Sequence, residues 1–296
     1  MRTRVVVNPN AGSADDLGAL REAVATLPEA EVCLTEEAGH AERLAREAVE
    51  RGCELVVAAG GDGTLNEVVN GLAADFGGAR LGLLPLGTGN DFARSIGVPA
   101  DLAGALAVLA EGRDAALDVG RATVGAARWF VNVSAGGFSG LVNEKMDSAV
   151  KSAWGPLSYL RSAVEALPEL AGYRTTIRLD GDETLEVSAY SVIVANARYV
   201  ASGIPVAPEA RLDDGLLDLM IVPEASVPQL AVLVPLVLLG RHLGNDLILF
   251  RRSGRLEIRS DPAMSFNVDG ELLGDGPATF EVMPRALRVV VGEMPG

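Results

Sequence analysis

The stretch VVAAGGDGTLNEVVNGL, residues 56–72, decides the fold of the N-terminal half of the chain. An apolar run leads into Gly60, Gly61 and Gly63, and the residues that follow have the apolar spacing of a helix. Continuous apolar strands that alternate with helices are typical of a parallel sheet covered on both faces. Because ligands bind beyond the carboxyl ends of such strands, this Gly-rich turn is predicted to lie at a binding edge.

The same alternation recurs on both sides of this stretch, with apolar strands in RVVVNPN, EVCLTE and ARLGLLPLGTGN. Three polar loops, NPNAGS, GGDGT and PLGTGND, each follow a strand and are predicted to share one edge of the sheet. Near Val119 the pattern changes to short runs with period-two alternation, which indicates an antiparallel β domain. Two helical regions, at about residues 139–167 and 226–243, interrupt this domain. We therefore predict an α/β domain over 1–118 and a β domain over 119–296, whose last residues return to the first domain.

Composition excludes several classes of function. The formal charge is −15, and such an acidic chain lacks the basic footprint that nucleic acid requires. Cys33 and Cys53 have no metal-ligand partner at useful spacing, so we interpret both as buried thiols. The N-terminal residues have no signal-peptide pattern, which favours a cytoplasmic protein.

The most apolar run, VPQLAVLVPLVLLG at residues 227–240, is too short to span a bilayer and contains two prolines. A buried or half-buried helix is the favoured interpretation. A helix that faces a membrane is the weaker alternative.

The GGDGT loop contains no Lys or Arg, which leaves open how it would balance the charge of a phosphate. Backbone amides and the N-terminus of the following helix can bind an anion, and a cation such as Mg²⁺ can balance the remaining charge. Asp62 is then a metal-network ligand, a base or a helix cap. Thr88 and Asn90 can form hydrogen bonds with phosphate oxygens or with a ribose, and Asp91 is a predicted N-cap. The sequence contains neither a Walker-type loop nor a dinucleotide fingerprint.

Two acidic segments stand out in the second half. Asp213, Asp214 and Gly215 form either a plain β-turn or a Mg²⁺ site made from a carboxylate and backbone carbonyls. The segment Asp269-Gly270-Glu271 is either a hairpin turn or part of a site.

These motifs resemble a known family. NPNAG, LTEEAGHA, GGDGTLNEVVNGL, LPLGTGNDFARSIGVP, FVNVSAGGF, APEARLDDGLLDLMIV and VDGE occur in the order seen in bacterial diacylglycerol kinase-like lipid kinases, which are similar to sphingosine and ceramide kinases. The resemblance covers nearly the whole chain. It implies a three-layer α/β domain like that of NAD kinase and phosphofructokinase, a C-terminal antiparallel β-sandwich, and a site between the domains that transfers phosphate from ATP to a lipid hydroxyl.

The resemblance also implies roles for individual residues. Mg²⁺ would be held by Asp214 with the backbone carbonyls of Arg211 and Leu216, and the base would be Glu271, Asp269 or Asp62. ATP would be bound by residues of the strand-end loops and of the first turns of the following helix: Asn8, Pro9, Asn10, Ala11, Gly12, Thr35, Gly61, Asp62, Gly63, Thr64, Leu65, Asn66, Glu67 and Thr88.

By this resemblance we expect a Mg²⁺-dependent lipid kinase of phospholipid biosynthesis that acts on diacylglycerol or phosphatidylglycerol. It would be cytoplasmic, with transient contact to the inner face of the membrane, and a homodimer stays open. The alternatives are a kinase of a soluble acceptor such as NAD, or a lipid-binding protein without catalysis.

Overall fold

The computed structural model describes residues 1–12, 17–137 and 172–295. The chain forms two compact units, one of Met1–Val119 with Pro284–Gly296 and the other of Gly120–Met283. The helical region predicted at about 139–167 lies outside the described residues.

The N-terminal part alternates strands and helices, as the sequence predicts. Its elements are β1 (Thr3–Val7), α1 (Leu17–Val24), β2 (Ala30–Leu34), α2 (His40–Glu50), β3 (Leu55–Gly60), α3 (Asp62–Leu72), β4 (Arg80–Pro85), α4 (Asp91–Ser95) and α5 (Leu102–Glu111).

The rest of the described chain is mostly β-structure. Its elements are β5 (Arg113–Val124), β6 (Ala126–Phe130), β7 (Val133–Gly137), β8 (Tyr173–Leu179), β9 (Glu183–Ala195), β10 (Tyr199–Val200), β11 (Ile204–Pro205), β12 (Leu217–Pro223), α6 (Val227–Leu238), β13 (Leu249–Ser253), β14 (Arg255–Asp261), β15 (Ser265–Val268), β16 (Glu271–Asp275) and β17 (Ala278–Val291).

The first unit is built on a parallel sheet in the order β4-β3-β1-β2, and the end of β17 joins β4 in parallel. Every residue of β1 and β3 is buried, which confirms strands that are covered on both faces. The register aligns Val7 with Ala59 and Ala59 with Leu84, so β1, β3 and β4 end side by side. The three loops after these strands therefore start from one edge of the sheet.

The second unit is an antiparallel sheet, which confirms the predicted class of this half. The strands follow the order β16-β15-β7-β9-β8-β14, and β12 pairs with β9 and β13. Phe130, Phe266 and Phe280 lie at the centre of its main core, with the rings of Phe266 and Phe280 in edge contact at 5.4 Å between centroids. A second core lies under α6, where Leu233 belongs to a buried apolar cluster and Val237 packs against it.

Helices α2 and α3 of the first unit approach through a glycine. A Cβ on Gly71 would overlap the backbone oxygen of Glu42, because the two helix backbones pass close together there. The Glu67 carboxylate adds a polar link, accepting the N–H groups of Gly39 at 2.9 Å and Ala41 at 3.0 Å. The motif GGDGTLNEVVNGL thus also fixes α2 against the helix that follows the Gly-rich turn.

The substitution Gly71→Ala is expected to lower the free energy of unfolding by about 2–3 kcal/mol, because the new methyl group meets backbone that cannot yield. Gly63→Ala in the same helix is the matched control, since no atom lies within 4 Å of its Cβ position. Urea denaturation of both variants checks this result. An unchanged midpoint for Gly71→Ala would show that the helices separate at little cost.

Candidate functional site

The loop after β1 lies close to the segments that follow β3 and β4. The Asn8 side chain donates a hydrogen bond to Thr64 Oγ1 at 3.3 Å, and its backbone N–H donates to Ala59 at 2.9 Å. A Cβ on Gly12 would lie 3.9 Å from Thr88 Oγ1. The structure thus brings together predicted binding residues from three separate segments of sequence.

The loops after β3 and β4 meet through their backbones. A Cβ on Gly61 would lie 3.2 Å from Gly87 Cα, and a Cβ on Gly87 would overlap Gly61 Cα. Asn90 closes the second loop, because its Oδ1 accepts the Gly87 N–H at 3.1 Å and its Nδ2 donates to the Gly87 carbonyl at 2.7 Å. This amide side chain therefore shapes the loop from within the protein.

Asp62 is the first residue of α3, but its side chain serves another helix. Its Oδ1 accepts the N–H of Asp91 at 2.9 Å, at the start of α4. Burial raises the pKa of Asp62, against the opposing effect of hydrogen bonds from the backbones of Phe92, Asp91 and Asn90. The predicted N-cap role of Asp91 is wrong, because α4 begins at Asp91 and Asn90 holds the N-cap position. The carboxylate of Asp62, from the first turn of α3, replaces the local cap of α4.

The N-terminus of α3 has the character of an anion site. Its N-cap residue, Gly61, makes no side-chain cap, and Gly63 is exposed with no atom within 4 Å of its Cβ position. Residues 8–12, 60–64 and 86–90 contain no Lys or Arg, so the donors that these three loops can offer to a phosphate are backbone amides and uncharged side chains such as Thr88.

The other residues predicted to bind ATP have identified positions in the first unit. Asn10 and Ala11 donate their N–H groups to the Asn8 side chain and carbonyl, which makes residues 8–11 a tight turn that also contains Pro9. Thr35 follows β2, and its N–H donates to Val7 at 2.8 Å. Leu65 and Asn66 are buried residues of α3, and Glu67 is the acceptor at the start of α2 described above.

The predicted metal-binding turn lies in the second unit, just before β12. Asp214 Oδ1 accepts the Leu216 N–H at 3.0 Å, Gly215 has φ +73, and Arg211 forms an ion pair with Asp213 at 3.1 Å. Among the described residues, no three His, Cys, Asp or Glu side chains are grouped to hold a metal. One carboxylate with backbone carbonyls and water fits Mg²⁺, which keeps several of its waters in proteins.

Asp218 lies in β12, directly after this turn, and is 2% exposed. Its Oδ1 accepts a hydrogen bond from Arg252 Nε at 3.0 Å. Loss of hydration outweighs this bond and raises the pKa of Asp218 to about 6. The ionised carboxylate thus costs stability at neutral pH even with its guanidinium partner in place.

This pKa predicts how stability changes with pH. Between about pH 4 and 6, the native Asp218 holds a proton that the unfolded chain has released, so its contribution to the free energy of unfolding falls as pH rises and is constant above. Asp218→Asn removes the ionisation, and the stability difference between wild type and variant is expected to change by about 1–3 kcal/mol across this interval. Urea denaturation at pH 4.5 and at neutral pH measures it. A difference that does not change with pH would contradict the raised pKa.

The DGE segment forms the turn between β15 and β16. Asp269 and Gly270 both have positive φ, 46 and 96, as two-residue hairpin turns require. The Asp269 carboxylate also accepts backbone N–H groups from Val131 at 2.9 Å and Val133 at 2.9 Å, and from the residue between them. Asp269 therefore anchors the segment that leads into β7.

Glu271 differs from Asp269 in its surroundings. Its side chain is 42% exposed and forms a two-pronged ion pair with Arg128, at 3.0 Å for each contact. The sequence did not single out Arg128, because one arginine in a β-strand is an ordinary surface residue and its partner lies far along the chain.

Comparison with known proteins identifies the family. The model of the diacylglycerol kinase catalytic domain matches residues 2–122, and that of the YegS C-terminal NAD kinase β-sandwich-like domain matches residues 132–291. A diacylglycerol kinase of Staphylococcus epidermidis is 34% identical over 94% of this chain and 88% of its own length. The chain belongs to the diacylglycerol kinase family. A second relative in this family, the diacylglycerol kinase of Staphylococcus aureus strain MRSA252, is 33% identical over 97% of this chain and 91% of its own.

Solved structures place this member of the diacylglycerol kinase family in the same fold as its relatives. A candidate diacylglycerol kinase of Bacillus anthracis str. Sterne has a TM-score of 0.83 at 26% identity, covering 98% of this chain and 95% of that one. An NAD kinase of Archaeoglobus fulgidus, in complex with ATP, has a TM-score of 0.55 at 15% identity, covering 99% and 94%. The predicted fold class is thereby confirmed. In the described part of the chain, no helix combines the length and apolarity needed to cross a membrane.

Proposed function

We propose that the chain transfers phosphate from ATP to the hydroxyl of a membrane lipid, with diacylglycerol or phosphatidylglycerol as the acceptor. The meeting of three Gly-rich or polar loops at the ends of β1, β3 and β4 carries this proposal. The names of the staphylococcal relatives support a lipid acceptor. The enzyme would be cytoplasmic and act at the inner surface of the membrane.

The loops would seat the triphosphate. The uncapped N-terminus of α3 and the exposed Gly63 offer amides to phosphate oxygens, and Thr88 adds a hydroxyl beside Gly12. Asp214 and the carbonyls of Arg211 and Leu216 form an oxygen donor set that suits Mg²⁺, which supplies positive charge when bound. Positioning and charge neutralisation account for most of the catalysis in this class of reaction.

The surroundings of the three candidate bases separate their roles. Asp269 accepts three backbone N–H groups, so we assign it to positioning. Asp62 also accepts backbone N–H groups, but burial raises its pKa, which brings a carboxylate closer to the optimum for a general base. The side chain of Glu271 is 42% exposed and is paired with Arg128. Asp62 or Glu271 would accept the proton of the lipid hydroxyl.

Transfer of ³²P from γ-labelled ATP tests the proposal. The full chain is incubated with Mg²⁺ and mixed micelles that contain diacylglycerol or phosphatidylglycerol, with NAD as the soluble acceptor in a parallel reaction. Label in lipid and none in NAD is the expected result. Label in NAD alone would favour the NAD kinase-like alternative, and lipid binding without label would favour the non-catalytic one.

Asp214→Ala is expected to raise the Mg²⁺ concentration needed for half-maximal activity by about 10–100-fold, since it removes the one carboxylate of the donor set. The neighbouring variant Asp213→Ala is the matched control, because that carboxylate pairs with Arg211. A Mg²⁺ titration of kinase activity measures both. If Asp214→Ala and wild type need the same Mg²⁺ concentration, the metal does not bind at this turn.

A further inference from the structure

Two arginine side chains hold the backbone directly before the predicted metal-binding turn, residues 211–216. Arg252 Nη2 donates to the carbonyl of Glu209 at 3.0 Å. Arg198 Nε donates to the carbonyl of Ala210 at 2.9 Å. The next carbonyl along the chain is the first proposed backbone ligand of Mg²⁺. Guanidinium groups thus fix two consecutive carbonyls immediately before one that would bind the metal.

Arg252 also holds the strand that follows the turn. Its Nε donates to Asp218 Oδ1 at 3.0 Å, and the two residues lie opposite each other on the paired strands β13 and β12. Asp218 lies two residues after Leu216, whose carbonyl is the other proposed backbone ligand. The guanidinium carbon of Arg252 also lies 5.7 Å from the centroid of the Phe250 ring. One rigid guanidinium group therefore ties the two ends of the turn together.

Asp218 is a costly partner for this contact. Its side chain is 2% exposed, and its Oδ2 is buried without a hydrogen-bond partner among the described residues. A buried oxygen without a partner destabilises a fold, and well-packed apolar residues often replace buried ion pairs without loss. Some proteins retain such pairs because the pairs fix one conformation. The geometry of the adjacent turn is what the pair of Asp218 and Arg252 can fix.

Backbone ligands make a metal site sensitive to the position of the chain. Mg²⁺ requires a nearly ideal octahedron with oxygen ligands at about 2.0–2.1 Å, whereas Ca²⁺ accepts flexible arrangements of oxygen ligands at about 2.3–2.6 Å. A turn whose two ends are fixed can hold its carbonyls at the shorter distance. A turn with loose ends accommodates Ca²⁺ more readily than Mg²⁺.

We propose that Arg252, together with Asp218 and Arg198, positions the turn at residues 211–216 so that it binds Mg²⁺ in preference to Ca²⁺. Arg252 is a positioning residue, because it acts on the metal through the backbone of the turn. This inference rests on the proposed function, since it takes the turn as the Mg²⁺ site of the kinase. It adds the side chains that select the metal.

Isothermal titration calorimetry with Mg²⁺ alone and with Ca²⁺ alone tests the proposal on the full chain, without ATP or lipid. Arg252→Lys keeps the positive charge but loses the planar arrangement of donors. It is expected to weaken Mg²⁺ binding by about 10-fold or more and Ca²⁺ binding much less. Arg251→Lys is the matched control, because Arg251 of the same strand pairs with the exposed Glu183 at 2.9 Å. Its ratio of Mg²⁺ to Ca²⁺ affinity is expected to equal that of wild type.

Two further variants separate position from charge. Asp218→Asn removes the negative charge but leaves an oxygen that can accept the Arg252 N–H, so it is expected to keep the preference for Mg²⁺. Arg198→Met removes the contact with Ala210 and leaves those of Arg252 in place. It is expected to lower the preference in the same direction as Arg252→Lys by a smaller factor, and it provides the test if Arg252→Lys does not fold. Circular dichroism verifies the fold of each variant.

Several outcomes would overturn the proposal. One is a wild-type affinity for Mg²⁺ in Arg252→Lys, and another is an equal loss of affinity for both ions. An equally large loss in Asp218→Asn would assign the effect to charge instead of position. If Asp214→Ala binds Mg²⁺ as tightly as wild type, the metal site and the positioning role fail together. A chain that shows the expected metal preferences but labels no lipid would refute the proposed kinase function alone.

Discussion

Replacing Asp62 with asparagine is expected to reduce kcat by about 10²–10⁴-fold in a chain that remains folded. The amide cannot accept a proton, but its oxygen can still receive the N–H of Asp91 that the carboxylate now binds at 2.9 Å. The loss in stability should therefore resemble that of an altered helix cap, about 1 kcal/mol. Phosphate transfer to micellar lipid and urea denaturation, performed on the same preparation, measure the two effects.

Asp101→Asn is the matched control for the capping role. Asp101 caps α5 by accepting the Gly104 N–H at 2.8 Å, so its replacement tests a helix cap outside the three loops.

The pH profile provides an independent test of Asp62. Because burial raises the pKa of Asp62, a base at this position gains activity as pH rises through that raised value, and Asp62→Asn should lose this limb. A near-normal kcat in Asp62→Asn would show that Asp62 serves only as the cap of α4, and Glu271 would then be the candidate base.

The fold of the first unit was accessible from sequence because strand and helix periodicity are local. Val5, Val6 and Val7 form one unbroken apolar run, and a run of this kind that ends in a glycine turn predicts a buried parallel strand. The common edge followed from topology, since parallel strands point their carboxyl ends in one direction. The meeting of Asn8 with Thr64 was therefore predictable in outline.

The partners of individual polar side chains were not accessible in the same way. Asp62 caps α4 instead of its own helix, and Glu67 receives the first amides of α2. Both are tertiary contacts, separated by 29 and 26 residues along the chain, and no local motif specifies them. The same holds for Glu271 and Arg128, which are 143 residues apart. The spacing of residues in the sequence identified side chains that suit the chemistry. The fold was needed to show which of these side chains are held in structural contacts.

The roles of the glycines also became clear only from the structure. Gly61, Gly63, Gly71 and Gly87 are the same residue type, which permits turns and close approach, and the sequence alone does not show which of these each one serves. In the structure, Gly71 admits a helix backbone, Gly61 and Gly87 admit each other, and Gly63 meets open space. Close contacts within the protein itself require glycine at Gly61, Gly71 and Gly87. Under the proposed function, a phosphate that approaches from outside would explain the glycine at position 63.

Gly87→Ala is expected to lower kcat/KM for ATP by about 10²-fold. The added methyl group would overlap Gly61 Cα and come within 3.0 Å of Asn90 Oδ1, which forces the loops after β3 and β4 apart. If these loops bind phosphate as proposed, a displacement of about 1 Å suffices for a loss of this size. Steady-state kinetics with varied ATP measure it, and circular dichroism verifies that the fold persists.

Gly63→Ala separates the two reasons for glycine in these loops. Its stability is expected to match that of wild type, because no protein atom lies within 4 Å of the new methyl group. Its KM for ATP is nevertheless expected to rise, since phosphate oxygens that approach the α3 N-terminus would meet that methyl group. Wild-type kinetics in both variants would place the triphosphate away from these loops. A loss in Gly87→Ala alone would limit the requirement to the contact between Gly61 and Gly87, and a loss in both would place bound phosphate against α3.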